Sequence, residues 1–185
     1  MQQLTCETAA RSRRRRLLAA AVLGLGLGAA PAVAIGDVLT GTVTTRVREG
    51  TPAAPVVVYA EPVGVAAPVR TVAPVALSQR NKSFSPRVVG VPVGAEVAFP
   101  NDDDIFHNVF SLSPGQAFDL GLYRAGASKS RRFTSPGQVR VFCNIHPQMT
   151  ALLVVVPTPW IVAADPDGAW RLDLPPGRYT VTALS

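Results

Sequence analysis

Residues 137–156, GQVRVFCNIHPQMTALLVVV, combine two strand-like runs with an unusual loop between them. In the first run Val139, Val141 and Cys143 fall on one face and Gln138 and Arg140 on the other, the period-two pattern of a strand that is buried on one face. The second run, residues 151–156, is apolar on both faces, as in a central strand that returns through a core. This stretch therefore predicts two core β-strands, with Cys143 pointing inward where the first one ends.

The loop between these runs places Cys143, His146 and Met149 at intervals of three residues. Thiolate, imidazole and thioether have in common that they bind soft transition metals. His107, which follows the turn-like PNDDD segment at residues 100–104, offers a second imidazole. Two simpler interpretations stay open at this point: an inert buried cysteine beside a surface histidine, and a structural histidine between aromatic neighbours.

The rest of the chain favours an all-β fold. Short valine-rich runs such as VLTGTVTTRV and RVVGVPVGAEVAF recur between proline and glycine turns, and no window shows sustained helical periodicity. Residues 35–185 have the length of one ordinary domain. We predict a single β-sandwich domain there, with a metal-binding core at about residues 81–156 and extra strands at residues 37–60 and 158–183.

The N-terminal residues resemble an export signal. The basic segment RSRRRR at residues 11–16 precedes an apolar run of about 14 residues and the small-residue site Ala32-Val33-Ala34. The apolar run is shorter than the roughly 20 residues of a membrane span. We predict cleavage after Ala34, a periplasmic or otherwise exported protein, and no stable membrane insertion after cleavage. An uncleaved membrane anchor is the alternative. The sequence leaves open whether export uses the general secretory (Sec) route or the twin-arginine route.

Removal of residues 1–34 changes the charge and the cysteine count. The chain has 18 Lys and Arg against 12 Asp and Glu, and this segment holds five arginines and one glutamate, so 13 against 11 remain. This small excess gives no support for nucleic-acid binding. The segment also contains Cys6, so Cys143 remains as a lone thiol, open to oxidation outside the cytoplasm unless a metal binds it.

The donor set indicates copper. Zinc sites use cysteine, histidine and carboxylate, with methionine an unusual partner. Two histidines, one cysteine and a weak axial methionine are the ligands of a blue copper site. We therefore predict one copper ion per chain, bound by the four candidate donors of this region: His107, Cys143, His146 and Met149.

Two segments carry a resemblance to a known family. FSPRVVGVPVGAEVAFPNDDDIFHNVFS (residues 84–111) and FTSPGQVRVFCNIHPQMTALLVVV (residues 133–156) resemble the cupredoxins, Greek-key β-sandwiches that include plastocyanin and amicyanin. The Cys-x2-His-x2-Met spacing is that of the short amicyanin loop. The resemblance implies the four copper ligands above, and Asn108 as a residue that hydrogen-bonds to the cysteine loop.

The flanks carry two further resemblances. FDLGLYRAG and DPDGAWRLDLPPGRYTV are similar to segments of plastocyanin-like proteins often labelled methylamine utilization proteins. The segments that precede and follow the copper-binding core also resemble pieces of a carboxypeptidase-regulatory-like β-module. No catalytic triad or carboxylate pair is present there, so we do not expect an enzyme.

Together these features predict an exported type 1 copper protein that carries single electrons between redox protein partners. Two alternatives stay open: a periplasmic copper-trafficking or storage protein, and a non-redox β-sandwich interaction module. Ile145 and Pro147 flank His146 and predict an apolar surface around its ring. The acidic run at residues 102–104 is expected to be a solvated turn, and a small bias toward Cu(II) is its alternative role.

Overall fold

The computed structural model describes residues 4–9, 37–44, 55–70 and 72–185, and for residues 4–9 only the backbone. The described residues form strands and turns, and they include no helix long and apolar enough to cross a membrane. The strands are β1 (Leu4–Ala9), β2 (Asp37–Thr42), β3 (Val57–Pro62), β4 (Val75–Ala76), β5 (Ser78–Arg80), β6 (Ser83–Ser85), β7 (Val88–Pro92), β8 (Glu96–Pro100), β9 (His107–Ser111), β10 (Phe118–Tyr123), β11 (Ser128–Arg132), β12 (Gly137–Phe142), β13 (Thr150–Val156), β14 (Ile161–Ala163), β15 (Ala169–Leu174) and β16 (Arg178–Leu184). The predicted all-β fold is confirmed.

The metal-binding half of the chain is built from two sheets. One has the strand order β10-β9-β12-β13-β7, and the other has the order β11-β8-β4. Strand β13 pairs with β12 in antiparallel fashion and with β7 in parallel fashion, so the chain crosses over between strands that are distant in sequence. A shared apolar core includes the fully buried Leu77, Phe99, Phe133, Val139, Val141 and Leu153.

The flanking strands form sheets of their own. Strands β16, β3 and β14 lie in one sheet, and β15 pairs with β2. Between these two sheets is a second apolar core, which contains Val58, Ala60, Trp160, Leu172, Leu174, Tyr179 and Val181. A third cluster joins the halves, because Val57 and Tyr59 of β3 pack with Val154 and Val156 of β13. The flanking strands therefore cover the outer face of the five-stranded sheet.

This layering explains why β13 is apolar on both faces. Leu153 and Val155 belong to the core of the metal-binding half, whereas Val154 and Val156 face the flanking sheet. The layers approach closely at Gly90 of β7, where an added Cβ would lie 2.4 Å from Cδ1 of Ile161. A glycine is needed here because the space that its side chain would occupy is already filled.

The predicted export signal lies almost wholly outside the described residues. Its described part is β1, whose backbone pairs in antiparallel fashion with β16, from Leu4 opposite Ala183 to Ala9 opposite Arg178. The predicted cleavage site after Ala34 is not described. Cleavage there would remove β1 and expose one edge of β16.

Candidate metal centre

Two neighbouring strands bring the first two candidate ligands together. His107 is the first residue of β9, and Cys143 follows the last residue of β12. These strands are antiparallel neighbours, with Phe142 opposite Phe110. The start of β9 therefore lies beside the end of β12, at the same end of the sheet. His107 is fully buried, and Cys143 is a buried free thiol with 3 % of its surface exposed.

The loop from β12 to β13 supplies the remaining candidates. It folds back on itself because the backbone N–H of Met149 donates to the carbonyl of His146 at 2.9 Å. A second bond ties the loop to β9, since the backbone N–H of Asn144 donates to Oδ1 of Asn108 at 3.1 Å. The side-chain nitrogen of Asn108, Nδ2, donates to Oδ1 of Asp119 on β10 at 2.7 Å. Asn108 therefore connects the ligand loop to two strands.

Three donor atoms form a compact triangle. Sγ of Cys143 lies 3.9 Å from Nδ1 of His107 and 3.9 Å from Nδ1 of His146, and the two Nδ1 atoms are 3.2 Å apart. A point equidistant from these atoms lies about 2.1 Å from each, within the range of about 2.0–2.3 Å for metal bonds to imidazole nitrogen and thiolate sulfur. The described residues thus hold one histidine–cysteine–histidine cluster that fits a metal ion.

A hydrogen bond on the far side of His107 determines its tautomer. Nε2 of His107 lies 2.7 Å from Oδ2 of Asp103, whose side chain is 10 % exposed. A carboxylate accepts, so the ring proton is on Nε2, and Nδ1 presents its lone pair to Cys143 and His146. Burial alone would raise the pKa of the Asp103 carboxyl, but hydrogen bonds from Lys82, His107 and Asn81 outweigh it and lower that pKa.

His146 also presents Nδ1 to the cluster. Partial burial lowers the pKa of its ring, the nearby His107 and Lys82 lower it further, and Asp103 opposes them. A lowered pKa favours the neutral imidazole, which is the form that binds metals. His146 is half-buried, and its neighbours along the chain are both exposed: Ile145, at 49 %, and Pro147. The most exposed residue of the cluster is therefore flanked along the chain by two exposed apolar residues.

Met149 lies at the end of the ligand loop, immediately before β13. Its side chain is completely buried in the same apolar cluster as Cys143. A thioether in this position is screened from water and belongs to the rigid core rather than to the surface. The structure thus brings His107, Cys143 and His146 into one triangle and puts Met149 in the core beneath the loop.

The hydrogen bond between Asp103 and His107 was not predicted from the sequence. The acidic run was expected to be a solvated turn, and Asp102 and Asp104 are indeed exposed. Asp103 instead turns inward and bonds to His107, four residues along the chain. A carboxylate close in sequence to a candidate ligand histidine was the available signal, because such histidines commonly donate their second N–H to a carboxylate.

Comparison with known proteins finds similar solved structures but no matching sequence. No protein-family model and no curated protein sequence matches the chain. A purple cupredoxin from Nitrosopumilus maritimus is 26 % identical with a TM-score of 0.40, over 45 % of this chain and 98 % of that one. A copper-containing nitrite reductase from Thermus scotoductus is 28 % identical with a TM-score of 0.44, over 51 % of this chain and 25 % of that one.

Amicyanin is among the similar structures as well. A variant of it in the reduced state is 23 % identical with a TM-score of 0.42, over 44 % of this chain and 80 % of that one. Each of these three alignments covers about half of this chain. Their TM-scores lie between 0.40 and 0.44.

Proposed function

We propose that this protein is an exported type 1 copper protein that carries single electrons between redox protein partners. The observation that carries the proposal is the triangle of His107, Cys143 and His146, whose size suits one metal ion and whose thiol and imidazoles suit copper. Met149 is proposed as the weak axial ligand, because it is buried in the cluster that contains Cys143. Copper bound there would supply a one-electron couple between Cu(I) and Cu(II).

Several contacts support a carrier. The ligands come from adjoining strands of one sheet and from a loop tied down by Asn108, so the donors have little freedom to rearrange when the charge of the site changes. Burial of His107 and Cys143 leaves little room for a substrate to reach the metal, which supports an electron carrier rather than an enzyme. The half-buried ring of His146, between Ile145 and Pro147, is the proposed contact with redox partners.

The decisive experiment is a visible spectrum of the purified protein with Cu(II). We expect an intense blue thiolate-to-copper band at one copper per chain. Cys143→Ser should abolish the colour, because a hydroxyl is a poor substitute for the thiolate. The far-ultraviolet circular dichroism of this variant should be unchanged. A folded wild-type protein that stays colourless would contradict the proposal, and a tightly bound zinc ion would point to a structural site.

A second measurement separates an electron carrier from a copper-trafficking protein. A carrier should give a reversible voltammetric wave and keep its copper in both oxidation states when challenged with a modest Cu(I) chelator. Loss of Cu(I) to that chelator, with no reversible wave, would favour trafficking.

For export, mass spectrometry of the secreted protein should find Ile35 at or near its N-terminus, and an intact N-terminus on membrane-bound material would favour the anchor.

A further inference from the structure

The Asp103 carboxylate receives three N–H donors from two separate parts of the chain. The backbone N–H of Asn81 donates to its Oδ1 at 2.5 Å, and the backbone N–H of Lys82 donates to its Oδ2 at 2.9 Å. Nε2–H of His107 donates to the same Oδ2 at 2.7 Å. Both carboxylate oxygens thus accept hydrogen bonds, and the carboxylate has a defined position.

The two backbone donors belong to the turn of the β5–β6 hairpin. Asn81 and Lys82 are the two loop residues, and both have φ of 53°, in the left-handed region. Two consecutive left-handed residues are typical of a type I′ turn, and successive N–H groups of such turns point into a concavity that binds anions. In this protein the anion is the side chain of Asp103.

The hairpin is in turn attached to the segment that carries Asp103. The backbone N–H of Asp102 donates to the carbonyl of Gln79 at 2.9 Å, and Gln79 forms an isolated bridge with Asn101. Asn101 also shapes the loop from within, because its Oδ1 accepts the N–H of Asp103 at 3.2 Å. Hairpin, acidic loop and His107 therefore form one connected hydrogen-bond network.

We infer that Asp103, held by the β5–β6 turn, is a positioning residue of the metal centre. It acts through His107 in two ways: it keeps the ring proton on Nε2 with Nδ1 facing Cys143, and its negative charge favours the more positive oxidation state of the bound ion. The effect on the ion rests on the proposed copper function, whereas the effect on the tautomer does not.

The chain provides its own controls. Asp102 and Asp104 flank Asp103, are exposed, and carry the same charge in the same loop. Asp103→Asn keeps the size of the side chain and one acceptor oxygen, but it removes the charge. Asp104→Asn removes the same charge from the neighbouring residue. If Asp103 acts through His107, the first change should affect the site much more than the second.

The test compares reduction potentials of the copper-loaded variants. For Asp103→Asn we expect Cu(II) affinity to fall about 10- to 100-fold more than Cu(I) affinity, which raises the potential by about 60–120 mV at roughly 59 mV per tenfold for one electron. Asp104→Asn should shift the reduction potential by less than a third of the shift in Asp103→Asn. Equal shifts in both variants would mean that only the charge of the loop matters, and no shift in Asp103→Asn would mean no influence; either result overturns the inference.

A measurement on the metal-free wild-type protein keeps the inference testable if copper does not bind or if Asp103→Asn does not fold. Nitrogen-15 NMR of the histidine rings should show His107 protonated at Nε2 and unprotonated at Nδ1. The opposite tautomer would overturn the positioning role of Asp103. A colourless protein with the expected tautomer would instead refute the proposed copper function and leave the positioning role intact.

Discussion

Replacing Asn108 with alanine removes one hydrogen bond to the ligand loop and one to strand β10. Oδ1 accepts the backbone N–H of Asn144 at 3.1 Å, Nδ2 donates to Asp119 at 2.7 Å, and Asn108 is only 4 % exposed. The first bond is a neutral one, and loss of such a bond costs about 1–1.5 kcal/mol. Asp119 is exposed and regains water, so the second bond costs less, about 0.5–1 kcal/mol.

We therefore expect Asn108→Ala to lower the free energy of unfolding of the metal-free protein by about 2 kcal/mol. Urea unfolding followed by circular dichroism measures this value, with the slope of the transition unchanged. Because about 1–1.5 kcal/mol of it anchors the loop between Cys143 and His146, copper transfer to a chelator should become about five- to twelvefold faster.

The matched control is Asp119→Asn, which keeps an acceptor for Asn108 and for the backbone N–H of Gly121. It should cost less than about 1 kcal/mol and leave the copper transfer rate unchanged. The reasoning would be refuted if Asn108→Ala cost under about 0.5 kcal/mol. It would also fail if the loss of stability appeared without any change in copper transfer, since the loop anchor would then be irrelevant to the site.

Three further outcomes follow from other parts of the structure. Met149→Gln should keep the blue colour and lower the potential by about 100 mV, roughly 2.3 kcal/mol for one electron, measured by voltammetry; release of copper from the reduced protein would instead indicate Cu(I) capture. Gly90→Ala places a methyl group 2.4 Å from Ile161 Cδ1 and should cost about 1–3 kcal/mol in urea unfolding, with the blue spectrum retained. Ile161→Ala in the same chain should recover part of that loss, and an unchanged urea midpoint for Gly90→Ala would contradict the close packing. Burial raises the pKa of Tyr123 to about 12, a hydrogen bond from Gln79 opposes this, and nearby Cys143 adds to it. Because an unfolded tyrosine ionises near pH 10, stability from the neutral phenol should be complete below about pH 10 and lost between about pH 10 and 12. Tyr123→Phe should remove this part of the pH dependence of stability, and a wild-type-like alkaline profile would contradict the assignment.

Local patterns in the sequence were sufficient for the fold class and for the candidate donors. Alternation of Val139, Val141 and Cys143 predicted an inward-facing strand, and all three side chains are buried. Strand periodicity depends on the geometry of the backbone alone, so it can be read without knowing the neighbours. The spacing of Cys143 and His146 likewise confines both donors to one short loop, and the structure places His107, also predicted from the sequence, beside them.

The tertiary structure alone decided what lies on the far side of each element. Residues 151–156 were correctly predicted to form a central strand, because they are apolar on both faces. Only the layered packing shows that Val154 and Val156 face a second set of sheets. In the same way Asp103 resembles its exposed neighbours in sequence, and its role depends on the backbone N–H groups of a hairpin more than 20 residues away. Backbone donors carry no signature in the amino-acid sequence, since every residue except proline has one, and only the folded chain determines which carboxylate they bind.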